Sequence, residues 1–169
     1  MAWGHSVVDC PALCRDRLIR LFGGLLFGGL GSAVIKLDGA TVAALVVTNA
    51  VGDIINPDTG AWVAGVRLEP AARKQGYLAP LLEMPVSNTT LVVVATDAKI
   101  SKAQAHALSQ SAHIGIARVT RPSHTVHDGD TAYVLSTGRA ATVSMMALSV
   151  AVQEVVANAI LNGVRAANS

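Results

Sequence analysis

The chain reads as a mixed α/β domain, and three observations carry that reading. Segments 32–36, 41–48 and 91–95 are dense in β-branched and other apolar residues, the composition of short strands. Segments 101–119 and 144–161 repeat apolar residues at helical spacing instead. The chain has 169 residues, of which 51% are hydrophobic, the size of one domain with material for a sizeable core.

Residues 1–17 show no sustained periodicity, and regular order is expected to begin near Leu30. The stretch from Leu18 to Ile35 is apolar but holds Gly23, Gly24, Gly28, Gly29 and Gly31, so it suits a glycine-rich lead into a buried strand better than a membrane-spanning helix. Ser32–Lys36 and Thr41–Thr48 form a predicted hairpin across Leu37-Asp38-Gly39-Ala40, with 49–53 closing the second strand. Pro57-Asp58-Thr59-Gly60 is a turn signal, followed by a short strand over 62–68. Residues 69–86, with three prolines and four charges, read as an exposed connector.

Leu91–Ala95 is continuously apolar and is expected to be an interior strand covered on both faces. Ser101-Lys102-Ala103-Gln104 is a capping-box pattern that opens a helix with Leu108, Ala112, Ile116 and Val119 on one side, ended by Pro122. Tyr133–Ser136 is a short strand and Thr137-Gly138-Arg139 a turn. A second long helix runs from Ser144 to about Leu161, with Leu148, Val152, Val156 and Ile160 on one stripe.

Charged residues make up only 14% of the chain, and its net charge of +2 comes from scattered Lys and Arg, so no nucleic-acid footprint is expected. With aromatics at 4%, stacking platforms for single strands are lacking too. Low charge instead points to a surface partly covered by another chain, a homo-oligomer or related subunits. Cys10 and Cys14 have no second pair to complete a tetrahedral site and read as free thiols. His124 and His127 stand three apart without further ligands in view, so neither a metal nor another cofactor is expected. No membrane association is expected, and the cytoplasm is the expected location.

Chemistry points to Asn88-Thr89-Thr90 at the head of the apolar run, followed about forty residues later by Asp128-Gly129-Asp130-Thr131. A hydroxyl residue becomes a self-sufficient catalyst if the peptide bond before it is cut, because its free α-amine then serves as base to its own oxygen. Each piece also has a plainer reading. Asn88-Thr89-Thr90 matches a glycosylation acceptor, Asp128-Gly129-Asp130 is an ordinary turn, and Asn49 could end a strand by hydrogen bonding.

Taken together, the strand from Thr89, the Lys102-Ala103-Gln104-Ala105 helix start, Arg121-Pro122-x-His124-Thr125 and Asp128-Gly129-Asp130-Thr131 resemble the small subunit of the P1-type self-processing peptidases. That family includes the DmpA D-aminopeptidase, the β-peptidyl aminopeptidases and the nylon-oligomer hydrolases. Upstream, Gly28–Ala33 and Ala44–Asp53 resemble the last part of its large subunit. The resemblance implies a DmpA/ornithine-acetyltransferase-like four-layered αββα sandwich, incomplete here on its N-terminal side. Residues 1–29 would be an atypical start, 30–88 the end of the large-subunit region, and 89–169 the small-subunit region.

The resemblance also implies cleavage between Asn88 and Thr89, attack by Thr89 on a peptide or small amide substrate, and an oxyanion contact from Asn49. Asp128 and Asp130 would hold the Thr89 amine and neighbouring donors. The family's catalytic lysine lies shortly upstream of the block matched by Gly28–Ala33, and residues 15–29 of this chain hold Arg15, Arg17 and Arg20 but no lysine. Arginine cannot replace it as a proton acceptor, since its pKa is too high. The alternative expectations are an inactive, truncated member that acts as a structural or binding remnant, and an acyltransferase of the related fold.

Overall fold

A computed structural model describes residues 18–21, 24–50, 52–65, 88–126 and 128–168. The cysteines, the connector at 69–86 and His127 lie outside them, as do residues 66–68 of the strand expected over 62–68. Strands β1 (Leu18–Leu21) and β2 (Gly24–Phe27) pair antiparallel. The principal sheet holds β3 (Gly29–Leu37), β4 (Ala40–Thr48), β7 (Leu91–Thr96) and β9 (Thr131–Ser136), in that order across it. A small second sheet joins β5 (Asp53–Ile55) to β6 (Trp62–Ala64) and β8 (Thr120–Arg121). Helices α1 (Lys102–Val119) and α2 (Met145–Ala167) cover one face of the principal sheet.

The β3–β4 hairpin follows from its turn. Leu37 pairs with Ala40 across Asp38-Gly39, and Gly39 takes φ 91°, a conformation strained for residues with a Cβ. From there Leu37–Gly29 pairs with Ala40–Thr48 without a break. Along β4 the burial alternates, Val42, Ala44 and Val46 facing the helices while Leu45 and Val47 are exposed. β7 alternates in the same way, with Val92 and Val94 buried and Leu91 and Val93 exposed. The expectation that β7 is covered on both faces is therefore corrected: only the helix side is covered among the described residues. Continuous apolar character arises because the outer face is apolar too.

Helix α1 opens with the expected capping box, the Gln104 N–H donating to Ser101 Oγ at 3.2 Å and the Ser101 N–H to Gln104 Oε1 at 2.8 Å. Its stripe Leu108, Ala112, Ile116 and Val119 is buried. α2 buries Leu148, Val152, Val156 and Ile160, and runs on to Ala167 because Val164 still reaches the core. It is long and apolar enough to cross a bilayer, yet half of its most apolar stretch is buried against the sheet and α1, the pattern of a core helix.

The approach of α2 to β3 is close enough to require glycine. A Cβ on Gly31 would lie 1.9 Å from the Ala159 carbonyl oxygen, and one on Gly163 would lie 2.7 Å from the Gly31 nitrogen. These glycines let helix and strand backbones meet directly, so α2 packs closely on β3 and β4. Between the helices, Arg118 pairs with Glu154 at 2.6 Å.

The mixed α/β expectation meets one helix layer on one principal sheet. The outer sheet face carries three cross-strand rows: Leu30, Val47, Leu91 and Thr131; Ser32, Leu45, Val93 and Tyr133; Val34, Ala43, Ala95 and Leu135. No charge stands in these rows, and Leu45, Val47, Leu91, Val93, Tyr133 and Leu135 are exposed. That is the face a second sheet covers in a sandwich.

Candidate active site

Register alone brings the sequence-predicted residues together. Extending the β4–β7 pairing past Val47 and Leu91 sets Thr48 opposite Thr90 and Asn49 opposite Thr89. The Thr89 N–H donates to the Asn49 carbonyl at 3.0 Å, in line with that extension. On the other side β7 and β9 run parallel, Leu91 beside Thr131, and the pairing continues to a bridge between Asn88 and Asp128. Thr89 thus lies between Asn49 and Gly129. Two residues before Leu91 and two after Val47, the side chains of Thr89 and Asn49 share the outer-face parity of those neighbours.

The peptide bond between Asn88 and Thr89 is held at both ends. Its carbonyl oxygen accepts the Gly129 N–H at 2.7 Å, and its N–H is held by Asn49. Thr89 is half-buried, and its hydroxyl makes no hydrogen bond among the described residues. A Cβ on Gly129 would fall 2.8 Å from Thr89 Oγ1, so the glycine makes room for that hydroxyl. The φ of Gly129 is not one reserved for glycine; space, not backbone freedom, is what it supplies.

The two carboxylates are engaged on either side of Thr89. Asp128 Oδ2 accepts the Thr125 N–H at 2.7 Å and fixes the loop after α1. Asp130 Oδ1 accepts the Thr90 N–H at 2.7 Å, and the Thr131 N–H donates to the Thr90 carbonyl at 2.9 Å. The contact to the Thr89 nitrogen is made by the Asn49 carbonyl. The Asn49 side-chain amide makes no hydrogen bond among the described residues. Buried under the strand end, the hydroxyls of Thr48 and Thr90 have no partner among the described residues.

Two further residues complete the site. Gly52 carries the chain from Asn49 into β5 against the 121–122 loop: a Cβ there would lie 2.1 Å from the Pro122 carbonyl oxygen. His124, at φ 54°, sets Nδ1 3.0 Å from Asp130 Oδ2 and Nε2 3.1 Å from the His113 carbonyl oxygen. The His113 and His124 rings stand 5.0 Å apart. Burial, helped by His124, lowers the His113 pKa below its usual value, and Asp130 opposes that shift in part. Sequence reading weighed His124 as a metal ligand, gave it no role, and read Gly129 as a turn residue. The signal available was their place within Arg121-Pro122-x-His124-Thr125 and Asp128-Gly129-Asp130-Thr131. No cluster of three or more His, Cys, Asp or Glu side chains among the described residues could hold a metal ion.

Comparison with known proteins places this arrangement. An uncharacterized aminopeptidase of Mycobacterium leprae is 43% identical over 123 residues, a match covering 68% of this chain and 34% of that protein. The structure of a Burkholderia sp. β-aminopeptidase superposes with a TM-score of 0.51 at 28% identity, covering 81% of this chain and 41% of the other. The L-aminopeptidase D-Ala-esterase/amidase of Ochrobactrum anthropi, described as a variant of the Ntn hydrolase fold, superposes with a TM-score of 0.54 at 22% identity, covering 81% and 40%. The chain thus spans between a third and two-fifths of the length of the proteins it resembles. Its fold is that of the Ntn-hydrolase aminopeptidases, here one αβ half of the αββα sandwich. Since residues 23–169 match the model of peptidase family S58, nearly the whole of the described structure and all of the Asn49, Thr89, Asp128 and Asp130 site lie within the match, and the chain belongs to that family.

Proposed function

We propose that this chain is a self-processing amide hydrolase of the aminopeptidase kind, cut between Asn88 and Thr89, with Thr89 as its N-terminal nucleophile. One observation carries the reading. The Asn88 carbonyl oxygen is hydrogen-bonded to the Gly129 N–H at 2.7 Å while the Thr89 hydroxyl lies against the same glycine. A donor is thus aimed at the oxygen that becomes negative when Thr89 Oγ attacks its own preceding carbonyl.

Attack would form the Oγ–C bond. Collapse then breaks the C–N bond, and the hydroxyl proton ends on the departing nitrogen. Water hydrolyses the resulting ester, leaving an Asn88 carboxylate and a Thr89 with free amine and hydroxyl. The α-amine, with a reference pKa near ~8, then accepts the hydroxyl proton during attack on a substrate amide. The Asn49 side chain, on the same face and free of other bonds among the described residues, would donate to the substrate oxyanion. Asp128 and Asp130 keep the strand end in register through Thr125 and Thr90. The substrate class we infer is a peptide or small amide with a free amino terminus, as the names of the similar aminopeptidases suggest.

A second reading is favoured by the outer sheet face. Its uncharged apolar rows suit a chain that acts by associating with another sheet layer, from related subunits or a second copy. Intact mass and N-terminal sequencing of freshly purified protein decide between the two. A fragment beginning at Thr89, absent from the Thr89→Ala variant, supports the hydrolase. A chain that stays whole on incubation favours the binding role.

A further inference from the structure

His124 contributes nothing to the steps above, yet both of its ring nitrogens are engaged beside the cut. Its Nε2 lies 3.1 Å from the His113 carbonyl oxygen, which can only accept, so Nε2 carries a proton. Its Nδ1 lies 3.0 Å from Asp130 Oδ2. The other oxygen of that carboxylate already accepts the Thr90 N–H. Two acceptors, one at each ring nitrogen, require two N–H donors, and a neutral imidazole has one. Were the second proton on Asp130 instead, the count would be the same.

We propose that His124 is a positioning residue which, bridging Asp130 and the His113 carbonyl through its two ring nitrogens, clamps Asp130 against the Thr90 amide and so holds the segment to be cut. The clamp follows from hydrogen-bond geometry; its effect on cutting rests on the reading of Thr89 as nucleophile. Asp130 is the shielded partner, its side chain 6% exposed against 36% for His124. A charge-assisted contact at such a carboxylate is stronger than a neutral one. The left-handed backbone of His124 is uncommon for a residue with a side chain, and the ring's bond to the His113 carbonyl within α1 ties it down. Among the described residues, Asp130 from the turn before β9 and His113 from α1 face the imidazole. Loss of the Asp130 contact leaves the Thr90 amide held by an unsupported carboxylate.

The test has two readouts on the full chain. In a Thr89→Ala background, which stays whole, hydrogen exchange at the Thr90 amide is followed at a single pH. Adding His124→Ala is expected to speed it about tenfold, the scale of one charge-assisted hydrogen bond. Adding His124→Asn should restore protection, because Asn tolerates left-handed backbone and can place an N–H near the position of Nδ1. In the Thr89 chain, His124→Ala should cut more slowly than the parent. His124→Asn should cut at close to the parent rate.

Thr90 exchange unchanged in His124→Ala, or an Asn variant as loose as the Ala variant, overturns the clamp. An intact chain that never cuts, but whose Thr90 amide is loosened by His124→Ala, leaves the clamp standing and removes the nucleophile reading. Cutting by His124→Ala at the original rate overturns the proposal and leaves the Thr89 reading standing.

Discussion

Gly129→Ala is the most discriminating single change, because it adds one methyl group beside the reacting atoms and little elsewhere. The new Cβ would lie 2.8 Å from Thr89 Oγ1, 3.6 Å from the Asn88 carbonyl oxygen and 3.8 Å from Thr89 Cβ. Only the first contact is too short, so the strand need not move; the Thr89 side chain must rotate. Turning χ1 away costs on the order of 1 kcal/mol, and the backbone of residue 129 accepts alanine. Folding should therefore be nearly unchanged. Cutting should suffer far more, since displacing a reacting atom by ~1 Å costs on the order of a hundredfold in rate. The assay is intact mass against time for freshly prepared chain, with Thr89→Ala as zero and thermal melting as the control for folding. An alanine variant that melts like the parent and cuts within about threefold of its rate would refute the assignment of Gly129 as the residue that seats the hydroxyl.

Other consequences concern packing, surface and pH. Gly31→Val would drive a side chain into the Ala159 carbonyl and the Gly163 backbone, so chemical denaturation should show a loss of about 3 kcal/mol or insoluble protein. Leu45→Lys with Val93→Lys places two charges in one cross-strand row of the outer face. It should abolish association seen by light scattering while changing monomer stability by less than about 1 kcal/mol. Because the His113 pKa is lowered on folding from the usual 6.5, the folded state resists its protonation. Its contribution to stability is whole above 6.5 and falls away as pH drops through the lowered value, so His113→Asn should flatten the decline in urea midpoint over that acid range.

Much of the scaffold was legible in the residues. The β3–β4 hairpin could be read because Asp38-Gly39 is a local turn signal between two runs of strand composition. The capping box and the helical stripes could be read because helix contacts repeat within a few residues. β5 was missed: Asp53-Ile54-Ile55 is too short to show a period, and it is a strand only because β6 and β8 pair with it. The cover on β7 was misjudged because an apolar run reports what a strand is made of, not which layer lies against each face.

The candidate site divides along the same line. By itself the sequence determined which groups are present near one another in kind: a threonine before a strand, an asparagine after another, two carboxylates about a glycine. Those are properties of local composition. Only the tertiary structure decided that Thr89 lies between Asn49 and Gly129, that the Asn88 carbonyl is held by a backbone donor, and that His124 closes on Asp130. The first two depend on register between strands some forty residues apart, and the third on the path of the loop between α1 and β9. Hydrogen-bond geometry across a sheet sets that register, and no local pattern encodes it.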